Sequence, residues 1–172
     1  MVRLVSFFMF ALNMIINIDH GALPAALSNI SQDLQIDESV MGSMGSSVFF
    51  GLIVGSTCAS WIFKHCAYKP ILTSSLLLNG VSLLLFTLDS NFNYMCIARF
   101  MAGFSQIFIT IYMPLFVDTY ISPKSKPAML SGLLVAAPLG VVAGYSMTSV
   151  CVLNHGFWKS HTPFTWYQSF RL

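Results

Sequence analysis

Asp19 and Arg99 are ionisable residues embedded in stretches otherwise free of charge. Fifteen uncharged residues lie between Arg3 and Asp19, and eighteen between Arg99 and Asp118. In an apolar medium a bare carboxylate or guanidinium is costly, so each is expected to be paired or turned toward water. Counted along helices, Asp19 lies about eight residues, roughly 12 Å, from the outer end of its stretch, and Arg99 about six residues, roughly 9 Å. At these similar depths the two are expected to form an ion pair; the alternative leaves Asp19 protonated or reaching the outer headgroups.

Uncharged polar residues share these two stretches. At 100° per residue Ser6, Asn13, Asn17, His20 and Pro24 gather on one side of a helix, about 120° round from Asp19, and Arg99, Gly103, Gln106, Thr110 and Pro114 do the same on another. Each helix thus carries one polar stripe. Two such stripes, each with an ionisable group, read as the lining of a water-accessible path through Asn13, Asn17, His20, Gln106 and Thr110. The alternative is that these amides and hydroxyls bond neighbouring helices.

Other chemistries find no support. The sequence holds no nucleophile elbow, phosphate loop or hydrolytic carboxylate pair, so it does not read as an enzyme. Cys58, Cys66, Cys96 and Cys151 have neither metal nor redox spacing and read as apolar filler. His155 and His161 share an expected outer loop with Lys159, which reads as solvated. No metal, cofactor or nucleic-acid partner is expected.

The elements that must position these residues follow from composition. Of 172 residues 56% are hydrophobic and 8% charged, against about 25% charged in an ordinary soluble domain; mean hydropathy is +0.74. Such a chain cannot cover a water-facing surface, and its partner is the lipid bilayer. Charge gaps of fifteen (Arg3 to Asp19), twenty-five (Glu38 to Lys64), nineteen (Lys69 to Asp89), eighteen (Arg99 to Asp118) and thirty-two (Lys126 to Lys159) residues place the apolar runs. Runs of this length are read as membrane helices, because unpaired backbone is not tolerated in hydrocarbon. Spans are expected at Leu4–Leu27, Gly42–Phe63, Pro70–Leu88, Asn93–Val117 and Ala128–Val150, with a sixth beginning near Pro163. The fold class is therefore all-α, a polytopic bundle forming one transmembrane domain over residues 1–172.

The breakers fit these bounds. Pro70 suits a first helical turn, Ser122-Pro123 and Lys126-Pro127 fall in an expected polar loop, and Asp89-Ser90-Asn91 makes a tight turn. Arg3, Lys64, Lys69, Lys124 and Lys126 fall on one side and only Lys159 on the other, which places the N-terminus in the cytoplasm. Lys64, Lys69 and Asp118 are taken as cytoplasmic loop charges. Asn29-Ile30-Ser31 is a glycosylation acceptor in a short outer loop, read as a chance occurrence. The first run reads as a span rather than a cleaved signal, since Asp19-His20 follows it without a clean small-x-small site.

Small residues mark close helix contacts: Gly51-x-x-x-Gly55 in the second span and Gly140-x-x-x-Gly144 in the fifth, where Pro138 loosens the helix. These spans are equivalent if the bundle is built as three helices plus an inverted three.

Several tracts together resemble the major facilitator superfamily. Arg99-Phe-Met-Ala-Gly103-Phe-Ser-Gln106 is similar to its fourth-helix motif, and Pro138-Leu-Gly140-Val-Val-Ala-Gly144-Tyr to its glycine-rich fifth-helix motif. Asn17-Ile-Asp19-His-Gly21, then Gly51 and Gly55, fit the same register. Ile111-Tyr-Met-Pro114-Leu-Phe-Val-Asp118 followed by Ser122-Pro123-Lys124-Ser125-Lys126 resembles Spinster-type and related protist members. The resemblance implies coupling, in proton-linked fashion, at Asp19 and Arg99, and helix packing and gating at Pro138, Gly140 and Gly144. It also implies a small organic or lipid-like solute. The loop from Phe63 to Lys69 keeps the family's basic residues but lacks its Asp, so Asp118 and Lys64 keep only part of the family's cytoplasmic charge relay. Twelve helices in two halves are the family's pattern, and Trp166 to Leu172 resembles the start of helix six; a second six-helix half is then the expected partner. A non-transporting assembly or regulatory protein, or an inactive truncated product, is the other reading.

Overall fold

The computed structural model describes residues 2–34, 37–88 and 91–155, and the secondary structure among them is entirely α-helical. The helices are α1 (Val2–Leu34), α2 (Glu38–His65), α3 (Tyr68–Leu88), α4 (Phe92–Tyr120) and α5 (Lys126–His155). All five are long and apolar enough to cross a membrane. The expected sixth span, together with Lys159 and His161, lies outside the described residues.

Local chemistry sets the helix ends. Asn91 Oδ1 accepts from the Asn93 backbone N–H at 3.1 Å, capping α4. Pro70 occupies the first turn of α3, where a missing N–H costs nothing. The α4–α5 turn closes on the Ser122 carbonyl, which receives the Ser125 and Lys126 N–H groups at 2.9 and 3.2 Å. Lys64 falls in the last turn of α2, where its charge meets the negative end of the helix dipole.

The helices outrun the charge-free stretches. Asn29-Ile30-Ser31 lies within α1, not in an outer loop; no Gly or Pro follows Pro24 to stop the helix, and Ile30 is buried. Lys126 and Pro127 open α5 rather than lying in a loop, Pro127 again falling where its N–H is not needed. His155 ends α5 instead of joining a loop. Lys64, Lys69 and Asp118, expected as loop charges, belong to the last turn of α2, the first turn of α3 and the last turns of α4. Long charged side chains at such ends reach the interface without breaking the backbone.

Two compact units emerge, one of residues Met1–Asn29 with Thr110–Leu172 and one of Ile30–Ile109, with α4 contributing to both. The first packs α1, the end of α4 and α5 around Ile16, Ala22, Ala26, Met113, Val117, Leu133 and Ala136. The second packs α2, α3 and the beginning of α4 around Met44, Val48, Ala59, Ile71, Phe86, Met95, Ala98 and Ala102. Phe63, Phe104 and Phe108 interlock edge to face in the second unit, with centroids 6.0 and 5.4 Å apart.

The remaining surface is greasy. Phe7, Phe50, Ile53, Trp61, Leu77, Leu134 and Val142 are each at least 60% exposed. An apolar exterior over five helices of spanning length defines an integral membrane protein, in which helices associate through close packing and hydrogen bonds rather than exclusion from water.

Candidate functional site

In the first unit the polar stripe of α1 meets α5. Asn13 is buried and its Nδ2 donates to the Leu133 carbonyl of α5 at 2.7 Å. Asn17 Nδ2 donates to the Asn13 carbonyl at 2.8 Å and to Asn13 Oδ1 at 3.0 Å, so the two amides form a short chain. Asn17 and His20 are half-buried, and Thr110 of α4 is exposed. Asp19 is 3% exposed, so its carboxylate lies inside the protein rather than among headgroups.

Glycine lets α1 and α5 approach this closely. A methyl on Gly140 would collide with the Met14 carbonyl and lie 2.9 Å from Asn17 Cβ, and one on Gly144 would strike the Ile18 carbonyl. From the α1 side, a methyl on Gly21 would run into the Val141 carbonyl and the Tyr145 N–H. Backbone thus touches backbone along three contacts.

The second unit repeats this device with α2 and α4. A methyl on Gly51 would collide with the Phe100 carbonyl, one on Gly55 would sit 3.0 Å from the Phe104 carbonyl, and one on Gly103 would strike the Val48 carbonyl. Here Arg99 and Gln106 are 3% and 2% exposed. Gln106 Nε2 donates to Asn79 Oδ1 of α3 at 3.4 Å. The Arg99 guanidinium carbon stands 4.1 Å over the centre of the Phe86 ring, also on α3. Asp19 falls in the first unit and Arg99 in the second, and both are buried.

The glycine contacts give the two units a common register. Gly51 meets Phe100 as Gly140 meets Met14, and Gly55 meets Phe104 as Gly144 meets Ile18. Both pairs of partners differ by 86 in sequence number (100 less 14, 104 less 18). On that shift Arg99 corresponds to Asn13, Gly103 to Asn17, Gln106 to His20 and Thr110 to Pro24. The two polar stripes therefore occupy matching positions on α1 and α4, as a duplicated three-helix plan requires.

The charged ends behave differently. Lys126 Nζ donates to Asp118 Oδ1 at 2.7 Å, bridging the α4–α5 turn, with the Asp118 side chain 78% exposed. Lys64 and Lys69 are exposed in the second unit. No cluster of metal-ligating side chains occurs among the described residues.

Sequence reasoning passed over α3. Its Ser75, Asn79, Ser82 and Phe86 are all buried on one face, and their spacing of four, three and four residues is the same as that of Asn13, Asn17, His20 and Pro24. That spacing is present in the sequence, but α3 carries no charged residue beyond Lys69 in its first turn to mark it.

Comparison with known proteins agrees with this architecture. The chain is 24% identical over 135 residues to Monosaccharide-sensing protein 1 of Arabidopsis thaliana, covering 78% of this chain but 18% of that relative. The family profile described as Major Facilitator Superfamily matches residues 4–167, nearly the whole chain. With its glycine-locked helix pairs and polar stripes on α1 and α4, the chain belongs to the major facilitator superfamily.

Proposed function

We propose that the chain serves secondary active transport of a small organic solute, with its N-terminus in the cytoplasm. Residues with both polarity and exposure suit solute contact: Asn17 and His20 on α1 and Thr110 on α4, offering an amide, an imidazole and a hydroxyl within one unit. This set fits a hydroxyl-rich solute, and the relative named for monosaccharide sensing points the same way. A lipid-like solute, suggested by the Spinster-type resemblance, finds less support in so polar a set. Asn13 and Gln106 are buried and bonded to neighbouring helices, so their role is to hold α1 on α5 and α4 on α3.

Coupling is assigned to Asp19 and Arg99. A carboxyl group is able to take up and release a proton, whereas a guanidinium stays charged throughout. Asp19 is then the proton-exchanging group and Arg99 the fixed cation. Gly51, Gly55, Gly140 and Gly144 form the contacts on which helices slide or lock, and Pro138, with no N–H for the Leu134 carbonyl, is the flexible point of α5. A second six-helix half is the partner expected to complete the solute path.

The observation that carries this reading is the burial of Asp19 and Arg99 in an interior whose other buried polar residues, among those described, are all uncharged. The test is uptake of labelled monosaccharide, under an imposed proton gradient, into proteoliposomes that hold the chain together with a second six-helix half. Uptake above empty vesicles is expected, with loss on Asp19→Asn and on Arg99→Ala. Uptake indifferent to both substitutions removes the coupling roles. Absence of uptake by the wild-type chain in sealed vesicles favours a non-transporting assembly or regulatory protein.

A further inference from the structure

Consecutive helices α3 and α4 are joined by two side-chain contacts, Asn79 with Gln106 and Phe86 with Arg99. Seven residues separate Asn79 from Phe86, and seven separate Arg99 from Gln106. As one index rises by seven the other falls by seven, the signature of antiparallel neighbours in register. Two helical turns, about 10 Å, lie between these rungs. The lower rung is an amide–amide hydrogen bond of 3.4 Å between side chains 2% and 5% exposed. The upper rung is a guanidinium over an aromatic face, both partners 3% exposed.

A guanidinium is planar, with its N–H donors lying in that plane. With its central carbon 4.1 Å over the ring centre, the guanidinium has no room for a partner on that side, so Phe86 restricts the directions in which Arg99 can offer its charge. The ring face is electronegative and attracts the cation most strongly where water is excluded, as it is here. An aliphatic side chain of similar bulk would fill the space without that attraction. The Asn79–Gln106 bond prevents α3 from sliding past α4 and so keeps Phe86 at the height of Arg99.

We propose that Phe86 and Asn79 of α3 are positioning residues for Arg99. Phe86 holds the guanidinium over its ring face, and Asn79 sets the register that brings the ring there. This deepens the coupling role given to Arg99 and rests on that reading for its functional meaning, but the positioning is testable without transport.

The experiment measures the rate at which phenylglyoxal modifies Arg99 in the reconstituted chain, read by peptide mass spectrometry. Replacement of Phe86 by 3,4,5-trifluorophenylalanine keeps the ring's shape while cancelling the negative charge of its face. This replacement, Phe86→Leu and the near-isosteric Asn79→Leu are each expected to raise the modification rate at least threefold. Phe86→Tyr, which keeps the ring face, is expected to stay within twofold of wild type. An unchanged rate with the fluorinated ring overturns the role of Phe86, because packing alone then suffices; an unchanged rate with Asn79→Leu overturns the register role. If the rates respond as expected but uptake ignores Arg99→Ala, the positioning stands and the coupling assignment falls.

Discussion

Asn13 shows how a single side chain can be read two ways. Its amide lies on the polar stripe of α1, which reads either as the lining of a water-accessible path or as a bond to a neighbouring helix, and it is buried and donates to a carbonyl of α5. Hydrogen bonds of this kind between membrane helices contribute about 0.6–2 kcal/mol. Asn13→Leu is therefore expected to destabilise the reconstituted chain by about 1 kcal/mol, measured as a lower midpoint of unfolding in a denaturing detergent. The Asp118–Lys126 pair sits at the opposite extreme. With one partner largely exposed, it is screened, and Lys126→Ala is expected to change the same midpoint by well under about 1 kcal/mol. Depth in the sequence pattern says that a polar residue must be satisfied; only the structure says by whom.

Glycines divide the helices into faces that touch and faces that do not. A methyl at Gly51, Gly140 or Gly144 would run into the backbone of the facing helix, which cannot yield, while one at Gly42 or Gly132 would meet nothing within 4 Å. Gly51→Ala and Gly140→Ala are expected to cost about 1–3 kcal/mol by forcing the helices apart. Gly55→Ala is expected to cost less, because its nearest obstacle, 2.5 Å away, is the Ile107 Cγ2 methyl. Gly42→Ala and Gly132→Ala are expected to be neutral or to stabilise by up to about 1 kcal/mol through helix propensity. Unfolding midpoints of the five variants, compared side by side, check this ordering. The spacing of glycines in the sequence identified the two pairs in α2 and α5, but not their partners. Gly21 and Gly103, single on their helices, carry no such spacing, and it is the facing backbones of α5 and α2 that reveal their part.

Helix number and type were readable across the described chain because charge is so costly in hydrocarbon that its absence marks each span. Helix ends were not, because the backbone continues past the last apolar residue wherever no breaker intervenes, as α1 does through Ser31 and α5 does to His155. The buried polar face of α3 escaped notice for the opposite reason: serine and asparagine alone do not stand out among apolar neighbours. The stripes on α1 and α4 were visible in the sequence, and the glycine contacts add what it lacked, a register that sets them at matching positions.

At the scale of the whole molecule, the account rests on a division of exposed surface into a part that meets lipid and a part that meets water. Exposed Phe50, Leu134 and Val142 belong to the first, while Asn17, His20 and Thr110 are assigned to the second. The division predicts which solute-facing changes matter. Thr110→Val and His20→Leu are expected to reduce monosaccharide uptake at least tenfold, whereas Leu134→Val leaves it unchanged, as read in the proteoliposome assay.

Accessibility labelling tests the division itself, without reference to any solute. The native cysteines are replaced by serine or alanine, and single cysteines are placed at Asn17, His20, Thr110, Phe50, Leu134 and Val142 in bilayer-embedded protein. A charged, water-soluble thiol reagent is expected to modify the first three within minutes and to leave the last three untouched. Equal protection of all six, or modification of the apolar positions ahead of the polar ones, would contradict the account.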